Sequence, residues 1–141
     1  MRTRNVLGML GLVFVSLAGL SADSAAQEGK VSERVYELRT YTTLPGRLPA
    51  LHKRFAEHTM KLFEKHGMKN EGYWTPTDEK LKDTTLIYII SHESMAAAEK
   101  SWAAFQADPE WKKVRDASEA DGKILAKAPD KVFMTKVPWA K

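Results

Sequence analysis

The chain has 141 residues, no cysteine, 28% charged residues and a formal charge of +4, which is the make-up of one globular domain and excludes a collagenous, low-complexity or disulfide-stapled protein. Lysines and arginines are interleaved with acids rather than gathered into a block, so no nucleic-acid partner is expected. The lack of cysteine leaves the fold to be held by its core alone.

At the amino end, Arg2 and Arg4 precede an apolar run from Val6 to Leu20, and Ser24-Ala25-Ala26 satisfies the small-x-small rule for cleavage before Gln27. Residues 1–26 therefore read as a secretory signal peptide. The run is shorter than the roughly 20 residues needed to span a bilayer, so no stable membrane insertion is expected after cleavage. The expectation is a periplasmic or extracellular protein. Residues 27–33 form a polar lead-in, and 34–141 the folded domain.

From Arg34 to Thr43 the residues alternate as a strand does, with Tyr36, Leu38 and Thr40 on one face and Glu37, Arg39 and Tyr41 on the other. Leu44-Pro45-Gly46 turns the chain into a helix that begins near Leu48 or Pro49 and stops at Gly67. Leu48, Leu51, Phe55, Leu62 and Phe63 form its buried stripe, interrupted by His58 and Thr59. The Thr59 hydroxyl is expected to bond to the carbonyl four residues earlier, with His58 at the stripe's edge.

Glu71 to Pro76 reads as a second strand. Leu86 to His92 reads as a third, apolar enough on both faces to be central. Ser94 caps a helix with Met95, Ala98, Trp102 and Phe105 on its buried side. Asp108 ends that helix and caps another, which starts at Pro109, carries Trp111, Val114 and Ser118 on one face, and runs towards Gly122. Lys131 to Val137 is the last strand. This order predicts an α+β, ferredoxin-like sandwich, a four-stranded antiparallel sheet with helices on one face and the first and third strands in the centre.

Four stretches, VYELRTYTTLPGRLPAL, EGYW, the helix start HES and the run W-x-x-F-x-x-D-P-E-W from Trp102 to Trp111, together resemble the NIPSNAP family of the dimeric α+β barrel superfamily, from about Val35 to Trp139. The resemblance implies a homodimer whose two sheets close into a barrel with the helices outside. It places Glu37, Arg39 and Tyr41 in the barrel interior. Period-two counting adds Tyr88, Ile90 and His92 to that face. Relatives are expected to carry an aromatic residue, commonly Tyr, where this chain has His92.

Two functions fit these residues. One is a binding module holding a small, partly aromatic or anionic ligand in the barrel interior through Glu37, Arg39, Tyr41, Trp74, Tyr88 and His92. The other is a cofactor-independent enzyme resembling the small monooxygenases or isomerases of the superfamily, with Arg39 stabilising an anion and Tyr41 or His92 moving a proton. The structural alternative has Glu37 and Arg39 fixing strand register or a dimer contact. Trp102 and Trp111, at helical spacing, read as packing residues, whereas Trp74 on its strand is a candidate for a cavity mouth. The four histidines lack the spacing of a shared metal site, and neither a metal nor a cofactor is expected.

Overall fold

A computed structural model describes residues 34–140, so the signal-peptide reading and the 27–33 lead-in lie outside the described residues. The order of elements is β1 (Val35–Thr42), α1 (Leu48–Arg54), a π-helical turn (Phe55–Thr59), α2 (Met60–Lys65), β2 (Lys69–Trp74), β3 (Thr85–His92), α3 (Met95–Ala107), α4 (Pro109–Ser118) and β4 (Asp130–Thr135). The four strands make one sheet in the order β2-β3-β1-β4, every neighbouring pair antiparallel. The apolar third strand is central beside β1, as the crossover rule requires. Among the described residues no helix is long and apolar enough to cross a membrane.

The core lies between the sheet and the helices. Leu51, Phe55, Leu62 and Phe63 of the first rod and Phe105 of α3 pack on Tyr41, Leu86, Tyr88 and Ile90 of the sheet. Phe63 is the hub, with ring centroids 5.1 to 6.0 Å from Phe55, Tyr88, Trp102 and Phe105.

This packing corrects the orientation expected for β1. Glu37, Arg39 and Tyr41 share the helix-facing side with Tyr88, Ile90 and His92, as the register Glu37↔Ile90, Arg39↔Tyr88 and Tyr41↔Leu86 requires. They do not point into a barrel between two sheets. Tyr36, Leu38 and Thr40 turn outward instead. The reversal is physically allowed because Glu37 and Arg39 neutralise each other, so a face carrying an acid and a base can be buried without leaving a bare charge. The outward side holds Leu38, Ile87 and Ile89, half-buried, and Trp74 and Val132, exposed.

The first rod contains one surplus residue per turn at its middle. Met60 N–H donates to the carbonyl of Phe55, five residues back, the hydrogen-bond pattern of a π-turn. The polar interruption of the stripe lies here. Thr59 is buried and its hydroxyl donates to the Arg54 carbonyl at 3.2 Å, five residues earlier rather than the expected four, because the widened turn puts that carbonyl in reach. His58 is half-exposed.

The Ser94 and Asp108 caps hold. Ala97 N–H donates to Ser94 Oγ at 3.1 Å and Glu110 N–H to Asp108 Oδ1 at 2.8 Å. Asp108 also takes Lys65 Nζ at 2.8 Å and His66 Nε2 at 2.7 Å, tying the end of α2 to the start of α4. Those partners hold its carboxyl well below the usual carboxylate range. Met95 departs from the expected stripe of α3, being exposed while Ser101 is buried. Ser94→Ala is expected to lower stability by about 1 kcal/mol, read as a reduced urea midpoint at unchanged slope, since it leaves a first-turn amide without its acceptor.

Candidate functional site

Between the sheet and the rods lies a cleft of about 210 Å³. Arg39 and Tyr41 of β1 form its floor, Arg54 and Thr59 one wall, and Trp102, Phe105, Trp111 and Glu119 the other. A cavity of about 150 Å³ holds benzene, so this one has room for a substituted ring system.

Arg39 is positioned from behind. Its Nη1 donates to Glu37 Oε1 at 2.8 Å, and its guanidinium lies 4.2 Å from the Trp102 ring centroid and 5.7 Å from that of Tyr41. Burial opposes the charge, but Tyr41, Tyr88 and Glu37 hold Arg39 above its ordinary range. Glu37 is fully out of solvent, and its Oε2 accepts from His92 Nε2 at 2.9 Å and Trp102 Nε1 at 2.7 Å. Burial pushes its pKa up, yet the His92 and Trp102 hydrogen bonds and the charge of Arg39 more than offset this, so the pKa is lowered and Glu37 is a carboxylate at neutral pH. His92 must then carry a proton on Nε2, and its buried Nδ1 has no partner.

The structure divides the residues expected to act together. Arg39 and Tyr41 line the cleft, and Glu37 supports them. Tyr88 lies beneath Tyr41, its hydroxyl donating to the Tyr41 hydroxyl at 3.2 Å, and burial holds its phenol well above the usual range, so it stays a neutral donor. His92 does not reach the cleft. Its ring is 1% exposed and faces Glu37 and Phe133, which makes it a support for Glu37. Trp74 sits on the other side of the sheet, at the rim of a separate apolar hollow of about 340 Å³ with Phe55, Met60 and Leu86.

Arg54 and Glu119 do not stand out in the sequence, where the spacing of Trp102 and Trp111 marks them only as packing residues. Arg54 is 3% exposed. Its Nη1 donates to Ser118 Oγ at 3.2 Å, Glu119 Oε1 stands 3.7 Å away, and the guanidinium lies 5.3 Å from the Trp111 centroid. The Nε atoms of both Arg39 and Arg54 are buried and have no partner. The sequence signal was Thr59: a polar residue on the buried line of a helix, near an arginine on the same rod. Among the described residues no group of three or more His, Cys, Asp or Glu is placed to hold a metal ion. Chemically, the cleft can hold a ring between aromatic walls and an oxyanion against arginine, with the Tyr41 phenol at hand for a proton.

Among solved structures, a NIPSNAP-like domain protein from Burkholderia xenovorans shares 14% identity at a TM-score of 0.66, covering 78% of this chain and 90% of that one. A NIPSNAP family protein of unknown function from Agrobacterium tumefaciens shares 19% at 0.64, covering 77% and 93%. A Streptomyces coelicolor monooxygenase, solved with nanaomycin D, shares 16% at 0.52, covering 78% and 93%. At these identities the likeness is one of fold. No curated protein matches the chain. The family model described as NIPSNAP matches residues 36–141, and with the shared sheet and helix order this establishes that the chain belongs to the NIPSNAP family.

Proposed function

We propose that this chain is an exported homodimeric protein that binds a small aromatic anion in the cleft beneath its helices. The observation that carries the ligand class is the pairing of two nearly buried arginines, each with an unpartnered Nε, with walls of Trp102 and Trp111. A buried donor without an acceptor costs about 1–3 kcal/mol, and a ligand oxyanion removes that cost. Export is supported by the apolar run behind Arg2 and Arg4, and dimerisation by the apolar outer face of the sheet.

Calorimetric titration with 1-naphthoate and its neutral counterpart 1-naphthamide tests the ligand class. The acid is expected to bind at least about tenfold more tightly, the effect of one charge-assisted contact. Equal binding of the two, or no heat from either, removes this reading.

A second reading, turnover in the manner of a cofactor-independent monooxygenase, is favoured by one feature. The Tyr41 hydroxyl lies in the cleft beside Arg39 and takes a hydrogen bond from Tyr88, which suits it to pass a proton while Arg39 stabilises the oxyanion left behind. Oxygen uptake with a hydroxynaphthoic acid is the measurement. Tyr41→Phe should abolish uptake and leave affinity unchanged, whereas absence of uptake in the unaltered protein leaves binding alone.

A further inference from the structure

We infer that Arg54, and not Arg39, is the anion anchor of the cleft, and that the Glu119 carboxylate is a resident stand-in for the ligand's own, so that binding is an exchange of one carboxylate for another. The inference rests on the ligand class proposed above and assigns the atoms that recognise it.

The two arginines differ in how well they are satisfied. Arg39 already holds a 2.8 Å ion pair with Glu37, which is itself fixed by His92 and Trp102, so its charge is the better balanced of the two within the protein. Arg54 is more buried, 3% against 13% exposed for the side chain, yet its carboxylate neighbour stands at 3.7 Å, beyond hydrogen-bond length, and its Nη1 donates instead to a neutral serine at 3.2 Å. Burial lowers the pKa of Arg54 and Glu119 offsets this only in part, the reverse of the balance at Arg39. A charged guanidinium with a loose counter-ion and a free Nε is the group in the cleft that gains most from a new oxyanion.

Glu119 is built to leave. It follows the last residue of α4, its side chain is 30% exposed, and the hydrogen bond its carboxylate accepts from Ile124 N–H is long at 3.4 Å. It lines the cleft alongside Arg54, Trp111 and Tyr41. Because Arg54 is nearly inaccessible while Glu119 sits beside it, a ligand carboxylate reaches the guanidinium by taking the place of Glu119. Arg54 also borders the larger groove of about 650 Å³ between α1 and α4, where Lys53 and Lys113 stand with Glu57 and Glu110. One exchangeable counter-ion implies a monoanion as the ligand.

Calorimetry with 1-naphthoate on the full protein decides the matter. Glu119→Gln keeps an acceptor for Ile124 N–H but withdraws the competing charge, so affinity should rise about tenfold as the competent fraction grows. Arg54→Met should lose about a hundredfold or more, and Arg54→Lys should recover part of it. A naphthalene dicarboxylate should bind no better than the monoacid. Unchanged or weaker binding in Glu119→Gln overturns the inference, even if Arg54→Met fails to fold. If the unaltered protein binds 1-naphthoate but Arg39→Met rather than Arg54→Met abolishes it, the anchor is misassigned while the proposed function stands. If the unaltered protein binds neither the acid nor the amide, the proposed function falls and takes this inference with it.

Discussion

Glu37→Ala should cost the fold about 3–5 kcal/mol, the size of effect seen when one member of a buried ion pair is removed, and read here as a large drop in urea midpoint. The carboxylate is fully buried and serves Arg39, His92 and Trp102 at once. Its loss leaves a cation and two ring N–H groups facing a void. Glu37→Leu combined with Arg39→Met should be milder, because it removes the charges together and leaves no bare cation behind, the remaining cost being the His92 and Trp102 N–H groups that lose their acceptor.

The same network sets a pH dependence with a definite sign. Burial alone would raise the Glu37 pKa, but His92, Trp102 and Arg39 bring it below its ordinary value in the folded state. A lowered folded pKa contributes stability above the unfolded value, about 4.3 for Glu, and that contribution is lost as pH falls through the folded one. The gap between the unaltered protein and Glu37→Ala should therefore be constant from pH 7 down to about 5 and narrow below about 4. Asp108, Asp121 and Glu71 are shifted in the same direction and weaken both proteins alike, so the difference isolates Glu37. A gap that is small at neutral pH, or that does not change with acid, would contradict this role.

The network also shows what could and could not be read from residues alone. Alternation in β1 separates Tyr36, Leu38 and Thr40 from Glu37, Arg39 and Tyr41 correctly, because period two is a property of the extended backbone. Which set faces the helices is decided by whether Glu37 can find enough partners, and two of those, His92 and Trp102, are 55 and 65 residues away. The Asp108 and Ser94 caps were legible because capping is local. Arg54 was not, since in the string His52-Lys53-Arg54 it looks like any solvated cation. Its place three residues after Leu51 sets it on the buried side of α1, and Ser118 and Glu119 at the end of α4 cover it. Trp102 and Trp111 do pack, as their spacing suggested, but on one edge they also wall the cleft.

The outward face of the sheet leads to the second large effect. The pairings Gly72↔Ile89, Leu38↔Ile89 and Leu38↔Val132 set one continuous row across all four strands, and Trp74↔Ile87 begins the next. A Cβ on Gly72 would run into the six-membered ring of Trp74, so the indole covers that glycine. Val132 and Trp74 are 54% and 52% exposed. If two copies pair through this face, symmetry places every substitution in the contact twice. Val132→Asp would bury two unpaired carboxylates, each costing several kcal/mol, and light scattering should show the mass fall from two chains to one. A single-chain mass for the unaltered protein, or no change in the variant, would remove this interface. Since the cleft lies on the helix side of β1, opposite this face, the single-chain variant should bind 1-naphthoate with undiminished affinity. Pairing would then serve stability, and ligand recognition would be complete within each copy.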